Sequence, residues 1–133
     1  MARILIVDDE EMDRLLERAI LEEDGHDLMF ASDGESALKV CRTEEVDLIL
    51  TDLAMPNFNG LRFIKELREE GLMMPVVAIS GWAADQLDLA LEYGADLSLS
   101  KPVDGPTLRA AVQDGLAIGG HIQRKDPWTR VQE

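Results

Sequence analysis

The sequence predicts an α/β fold: a doubly wound, five-stranded parallel sheet in the order 2-1-3-4-5, with helices on both faces. Five short apolar runs, typical of strands, alternate with five segments whose apolar residues recur at helical spacing. The first, third and fourth runs are continuously apolar, as in central strands that are covered on both faces. The second run is short and the fifth is interrupted by serines, so both are predicted to lie at the edges.

The elements follow one another in a regular order along the chain. The predicted strands lie at residues 4–7, 28–31, 46–50, 76–79 and 97–99. Apolar residues three or four apart mark the five helices: Met12, Leu15, Leu16, Ala19 and Ile20; Ala37, Leu38 and Cys41; Leu61, Ile64 and Leu67; Leu87, Ala90 and Leu91; and Leu108, Ala111, Val112, Gly115 and Leu116. Ser32 or Asp33 is expected to cap the second helix, and Gly25, Gly71 and Gly94 to end the first, third and fourth.

The end of the chain loses this pattern. Gly119 and Gly120 interrupt the helical spacing, and Pro127 follows in a stretch without periodicity. The sequence therefore predicts one domain over residues 1–118, a common size for a single domain, and an irregular C-terminal tail over 119–133.

Composition excludes several classes of protein. The formal net charge of −14 argues against direct binding of nucleic acid, which depends on Lys and Arg contacts with phosphates. Cys41 is the only cysteine, so an intrachain disulfide is impossible and a reducing compartment fits. No apolar stretch has the length of a signal peptide or a membrane span. We expect a cytoplasmic protein that contacts no membrane.

Polar residues follow the predicted strands at the edge where ligands bind in such folds. Asp8 and Asp9 follow the first strand, and Asp52, Ser80 and Lys101 follow the third, fourth and fifth. Singly, each has an ordinary explanation, such as a helix cap or a turn. Together, carboxylates about 4 Å apart repel each other by roughly 4 kcal/mol at an effective dielectric constant near 20. A hard cation relieves this repulsion, so the sequence predicts a Mg²⁺ site.

The same residues carry a resemblance to a known family. The segments Ile-Leu-Ile-Val-Asp-Asp-Glu at 4–10 and Asp-Leu-Ile-Leu-Thr-Asp-Leu-Ala-Met-Pro at 47–56, followed by Gly60, are similar to those of response-regulator receiver domains. Gly-Ala-Asp at 94–96 and Lys101-Pro102 complete the pattern. The resemblance covers about residues 2 to 117 and implies the flavodoxin-like fold of CheY.

This resemblance implies a role for each residue of the rim. Asp52 matches the phosphoacceptor, a carboxylate nucleophile that is also a metal ligand. Asp9 matches the direct Mg²⁺ ligand, Asp8 the acid that helps to hold the ion, and the backbone carbonyl of Ala54 a neutral ligand. Ser80 matches a hydroxyl that turns toward the phosphoryl oxygens, and Lys101 the ammonium that pairs with them. The resemblance also implies a cis peptide bond between Lys101 and Pro102.

One position departs from the family. Many receivers have Tyr or Phe three residues before the lysine, and this ring moves inward when the hydroxyl moves. Here Ser98 stands at that position. Either Ser98 is a tolerated residue of an edge strand or another group relays the change. Trp82, two residues after Ser80, is either an exposed loop residue or, in our hypothesis, a reporter or gate of the site.

The function that follows is that of a single-domain response regulator, not an enzyme. It would take phosphate from a histidine kinase or a phosphotransfer protein and change its binding to an effector protein through the face of the fourth helix, fifth strand and fifth helix. The alternative is a receiver fragment of a larger hybrid kinase or transcription regulator. Two other classes of protein fit the sequence less well. Phosphatases with an aspartyl-phosphate intermediate have an Asp-x-Asp pattern after the first strand, and flavodoxin-like flavin carriers have a Ser/Thr/Gly-rich loop there. This chain has Asp8, Asp9 and Glu10 at that place.

Overall fold

The computed structural model describes residues 2–55, 58–81 and 84–125, and it contains five strands and five helices in alternation. The strands are β1 Arg3–Val7, β2 Asp27–Ala31, β3 Leu48–Asp52, β4 Val76–Ser80 and β5 Leu97–Ser100. The helices are α1 Glu11–Glu23, α2 Gly34–Thr43, α3 Gly60–Glu69, α4 Ala84–Tyr93 and α5 Gly105–Lys125.

The strands form one parallel sheet in the order β2-β1-β3-β4-β5, which confirms the predicted fold. Every residue of β3 and β4 is buried, whereas β2 and β5 are mostly half-buried or exposed. The apolar runs therefore distinguished the central strands from the edges because central strands have helices over both faces.

Alternate residues of the central strands pack on opposite faces of the sheet. Leu5 and Val7 lie in the cluster that also contains the buried residues of α2, α3 and α4. Ile4 and Ile6 lie in the second cluster, with Leu21 of α1 and the buried residues of α5. The period of two along each strand thus produces a three-layer domain with two hydrophobic cores.

The structure confirms the predicted residues at the ends of several helices. Asp33 is the N-cap of α2, since its carboxylate accepts a hydrogen bond of 2.8 Å from the Ser36 N–H. The glycines expected to end helices have positive φ angles, 80° at Gly25 and Gly71 and 126° at Gly94. Such angles are available to glycine without the steric cost that other residues meet.

The apolar residues in the first half of helix α1 face solvent. Met12, Leu15 and Leu16 are 76%, 48% and 57% exposed, whereas Ile20 and Leu21, in the second half, pack against the core. Asp13 and Glu17 are half-buried. The side of α1 that packs on the domain therefore carries Asp13 and Glu17 together with Ile20 and Leu21.

The predicted end of α5 was wrong. The helix continues through Gly119 and Gly120 to Lys125, where the sequence predicted an irregular tail from residue 119. A β-carbon at Gly119 would lie 3.1 Å from Cγ and Cδ of Pro75, so this glycine lets the helix pass close to the chain before β4. Glycine served close packing here and did not end the helix. Residues 126–133 lie outside the described residues.

Cys41 lies in the hydrophobic core. Cys41 is 4% exposed, and burial raises the pKa of its thiol to about 12, as expected for a thiol packed in the core. Among the described residues, no helix combines the length and apolarity that crossing a bilayer requires.

Candidate functional site

The predicted polar residues meet at the carboxyl edge of the sheet. Asp8 comes directly after β1, Asp52 and Ser80 end β3 and β4, and Lys101 comes directly after β5. Because parallel strands end at the same edge, their last residues face one rim. The order of the strands places β1, β3 and β4 side by side at its centre.

Three carboxylates form the acidic part of the rim. One oxygen each from Asp8, Asp9 and Asp52 can be chosen so that all lie within 4.8 Å of one another. Asp8 is 1% and Asp52 6% exposed, while Asp9 is exposed to solvent. Two buried carboxylates and one accessible carboxylate suit a hard divalent cation that keeps some of its water, so the donor set fits Mg²⁺.

Backbone groups orient the two buried carboxylates. The Glu10 N–H donates to Oδ1 of Asp8 over 2.9 Å, and the Ala54 N–H donates to Oδ1 of Asp52 over 3.2 Å. The Arg14 guanidinium donates to the backbone carbonyl of Asp8 over 2.6 Å. Each aspartate is thereby held in place while its second oxygen, Oδ2, remains directed toward the other groups of the rim.

Lys101 provides the positive charge. Its Nζ lies 3.1 Å from Oδ2 of Asp52, 3.5 Å from Oδ2 of Asp8 and 2.6 Å from Oδ2 of Asp13. Burial alone would lower the pKa of this ammonium, but the hydrogen bond to Asp13 and the charges of Asp52 and Asp8 raise it above its usual range. Lys101 is therefore charged at any physiological pH.

The surroundings of Asp8 raise the pKa of its carboxyl group. Burial, together with the nearby charges of Asp52 and Asp13, raises the pKa of Asp8 to about 6, even though the Glu10 N–H and Lys101 act in the opposite direction. Since burial is the largest of these causes, the raised pKa reflects mainly the loss of water around the Asp8 carboxylate. A bound cation would stabilise its ionised form.

The other predicted residues are placed as follows. Ser80 is fully buried, and its backbone carbonyl accepts a hydrogen bond of 2.9 Å from the Lys101 N–H. The Lys101–Pro102 bond is cis, as predicted. Ser98 is half-buried in β5, opposite Ala78 of β4. The metal-ligand role of the Ala54 carbonyl stays a prediction, and Trp82 lies outside the described residues.

Sequence reasoning missed Asp13 and Glu17. Both lie on α1 and are four residues apart, so they share one side of this helix. Their helical spacing, at the start of the helix that follows the acids of the rim, was the signal that could have found them. Asp13 makes the shortest contact of Lys101, although it was not among the predicted site residues.

A cavity of about 410 Å³ adjoins the rim between α1, the segment after β5 and α5. Asp13, Glu17 and Lys101 line its polar side, and apolar residues such as Ile20 and Leu108 line the rest. Burial, and then the charge of Asp8, raise the pKa of Glu17 to about 8. The Glu17 carboxyl is therefore largely protonated at neutral pH in the metal-free protein.

Comparison with known families agrees with this geometry. A model of the response regulator receiver domain matches residues 4–113. The match includes all the residues predicted for the site, from the acids after β1 to the lysine after β5.

Two curated proteins illustrate the settings in which similar sequences occur. The alkaline phosphatase synthesis transcriptional regulatory protein PhoP of Bacillus subtilis (strain 168) is 40% identical over 113 residues, which are 84% of this chain and 47% of PhoP. The sensor histidine kinase RcsC of Salmonella typhi is 40% identical over 123 residues, which are 92% of this chain and 13% of RcsC. The chain thus spans less than half the length of either relative.

Solved structures share the fold over most of the chain. The receiver domain of the Francisella response regulator 1452 superposes with a TM-score of 0.83 at 28% identity, covering 88% of this chain and 98% of that one. A CheY-like receiver domain protein from Methanospirillum hungatei JF-1 gives a TM-score of 0.85 at 25% identity, covering 91% and 98%.

Proposed function

The chain belongs to the response-regulator receiver domain family, and from this premise we propose that it accepts a phosphoryl group on Asp52 in a Mg²⁺-dependent reaction. The donor would be a histidine kinase or a phosphotransfer protein. The observation that carries the proposal is the position of Asp52, whose buried carboxylate lies 3.1 Å from the Lys101 ammonium and belongs to the carboxylate cluster suited to Mg²⁺.

The transfer is a displacement at phosphorus. A carboxylate oxygen of Asp52 attacks the phosphorus of a phosphohistidine, and an O–P bond forms as the P–N bond breaks. The electron pair of the broken bond stays on the imidazole nitrogen. The product is an acyl phosphate, and attack by water at phosphorus later returns Asp52 to the free carboxylate and releases inorganic phosphate.

The residues around Asp52 contribute position and charge. The Ala54 N–H holds one oxygen of Asp52, and the Lys101 ammonium, 3.1 Å from the other oxygen, would stabilise the negative charge on the phosphoryl group. Mg²⁺ held by Asp8, Asp9 and Asp52 would neutralise further charge on these oxygens. The Ser80 hydroxyl, at the end of the adjacent strand β4, is proposed to turn toward them after transfer.

We propose a signalling module and not an enzyme, since the phosphoryl group is transferred to the protein itself. Its output would be altered protein binding through the face of α4, β5 and α5. Leu91 and Tyr93 of α4 are 40% and 36% exposed, which provides apolar surface in this region. The net charge of −14 supports protein partners over direct nucleic acid binding, and a cytoplasmic location is proposed with them.

The same chemistry would serve in two settings. The chain could act as a single-domain regulator, or as the receiver of a hybrid kinase or a transcription regulator. The relatives favour the second setting, because one is a transcriptional regulatory protein and the other a sensor histidine kinase. The matched regions make up only 47% and 13% of their respective lengths.

Intact-mass measurement tests the proposal. The protein is incubated with Mg²⁺ and acetyl phosphate, a small donor that releases acetate when its phosphoryl group is transferred. We expect a mass increase of one phosphate in the parent and none in Asp52→Asn or without Mg²⁺. An equal increase in Asp52→Asn would refute the assignment of Asp52.

A further inference from the structure

The Lys101 ammonium is fully engaged before any phosphate is present. An ammonium group has three N–H donors, and among the described residues three carboxylates lie within hydrogen-bonding distance of it. The shortest of these contacts, 2.6 Å, is made by Asp13 and not by Asp52 or Asp8. A phosphoryl group that needs this ammonium must therefore displace one of its present acceptors.

The three acceptors differ in how easily they can be displaced. The side chains of Asp8 and Asp52 are 2% and 5% exposed, so either would lose its hydrogen bond without gaining water. Asp13 is 31% exposed, and water can replace Lys101 around its carboxylate. Asp52 also carries the phosphoryl group, so its own contact with Lys101 passes naturally to the phosphoryl oxygens. Because the contact with Asp8 is long, at 3.5 Å, and Asp52 itself carries the phosphoryl group, Asp13 is the close acceptor that the ammonium has to leave.

The backbone of Lys101 is held in place, so the ammonium moves by rotation of the side chain. The Lys101 N–H is bound to the Ser80 carbonyl over 2.9 Å, which ties the segment after β5 to the end of β4. Asp13 stands on a different element, α1. A shift of the ammonium away from Asp13 therefore breaks a direct ion pair between α1 and the segment after β5.

We propose that Asp13 is a positioning residue that holds the Lys101 ammonium against α1 in the unmodified protein and competes for it with the phosphoryl group on Asp52. The proposal rests on the proposed function of Asp52 as phosphoacceptor. It implies that Asp13 opposes the phosphorylated state, since the Asp13–Lys101 ion pair is lost when that state forms. The loss of this ion pair offsets part of the free energy gained when Lys101 pairs with the phosphoryl oxygens.

Binding of beryllofluoride, an anion that resembles a phosphoryl group attached to a carboxylate, measures this competition at equilibrium. Affinity is determined by calorimetry at a Mg²⁺ concentration that saturates each variant. We expect Asp13→Asn to bind beryllofluoride about three- to tenfold more tightly than the parent, the range that the loss of a partly exposed competing ion pair allows. Asp13→Ser repeats the test if the asparagine variant does not fold.

Two controls separate competition from a general effect of charge or structure. Glu11→Gln removes an exposed charge from the same first turn of α1, without a contact to Lys101, and is expected to change affinity less than twofold. In a Lys101→Met background, the substitution Asp13→Asn is expected to have no effect, because the contested ammonium is gone.

The outcomes are distinct. Equal or weaker binding by Asp13→Asn, with tight binding by the parent, would overturn the role of Asp13 and leave the proposed function intact. The same gain in the Lys101→Met background would also overturn it, since the effect would then not pass through Lys101. If the parent bound no beryllofluoride and gained no phosphate mass, the proposed function would fall and the inference with it.

Discussion

Gly60 lies so close to Asp52 that a β-carbon at residue 60 would overlap the carbonyl oxygen of Asp52 and crowd Cα of Leu53. The Gly60 N–H also donates to the Leu53 carbonyl over 3.0 Å, so the start of α3 is tied to the backbone that follows the proposed phosphoacceptor. We expect Gly60→Ala to push this backbone away, to lower the free energy of unfolding by about 1–3 kcal/mol and to slow phosphorylation by acetyl phosphate. Urea unfolding and a mass time course measure the two effects.

Gly105→Ala provides the matched control. A β-carbon at this position would meet only Cδ1 of Ile20 at 3.9 Å, an ordinary contact. Its unfolding and phosphorylation should stay close to those of the parent. Equal behaviour of the two alanine variants would show that the approach of Gly60 to Asp52 has no consequence.

Glu17 should make stability depend on pH. Folding raises the pKa of this carboxyl from 4.5 to about 8, so the native state keeps a proton that the unfolded state has lost. Its contribution to the free energy of unfolding therefore becomes more unfavourable from pH 4.5 to about 8 and then levels off. We expect Glu17→Gln to raise the melting temperature little at pH 5 and most at pH 8 and above, in thermal unfolding without Mg²⁺.

The exposed Glu11 again serves as the reference for this experiment. Glu11→Gln should change the melting temperature by a similar small amount at all these pH values. A gain for Glu17→Gln that is the same at pH 5 and pH 8 would contradict the proposed protonation of Glu17 in the native state.

Mg²⁺ affinity should depend on protonation of Asp8. Burial raises the pKa of Asp8 to about 6 in the metal-free protein, and only the ionised carboxylate binds a cation well. Affinity is therefore expected to be nearly constant above pH 7 and to fall about tenfold for each pH unit below 6. Calorimetric titration between pH 5 and 8 tests this, with Asp8→Asn expected to bind weakly and without a change near pH 6. If the Mg²⁺ affinity of the parent protein did not fall below pH 6, Asp8 would not be the carboxylate whose protonation competes with the ion.

Arg68 is expected to matter for stability far from the site. Its guanidinium donates to the carbonyls of Gly94, Leu72 and Met74 and pairs with Asp96, so one side chain joins the ends of α3 and α4 to the start of β4. Since its removal leaves these part-buried acceptors unpaired, Arg68→Met should cost about 2–4 kcal/mol in urea unfolding.

Arg18, which pairs with Glu22 on the exposed surface of α1, is the control. Arg18→Met should cost less than about 1 kcal/mol, as is typical of exposed ion pairs. A similar cost for both variants would contradict the special role of Arg68.

The sequence predicted the fold and the placement of the rim residues because both depend on short-range patterns. Continuous apolar runs identified β1, β3 and β4 as central strands, and the residues after these runs necessarily lie at one edge of a parallel sheet. The positions of Asp8, Asp52 and Lys101 followed from strand direction alone.

Asp13 and Glu17 depend on the rotation of a helix, which the apolar pattern did not determine. Met12, Leu15 and Leu16 belong to the apolar pattern that predicted α1, yet they are exposed, while Asp13 and Glu17 are half-buried. The end of α5 was missed for a related reason, because Gly119 fits against Pro75 and this contact is invisible in the sequence. Tertiary packing decided both cases.

Identification of the phosphorylated residue tests the proposed function most directly. The protein is phosphorylated with acetyl phosphate and Mg²⁺ and then treated with borohydride, which reduces an aspartyl phosphate to homoserine, and its peptides are sequenced by mass spectrometry. We expect homoserine at position 52 and unmodified aspartate at positions 8, 9 and 13. Homoserine at one of those three positions, or no modification in a folded protein that binds Mg²⁺, would contradict the assignment of Asp52 as the phosphoacceptor.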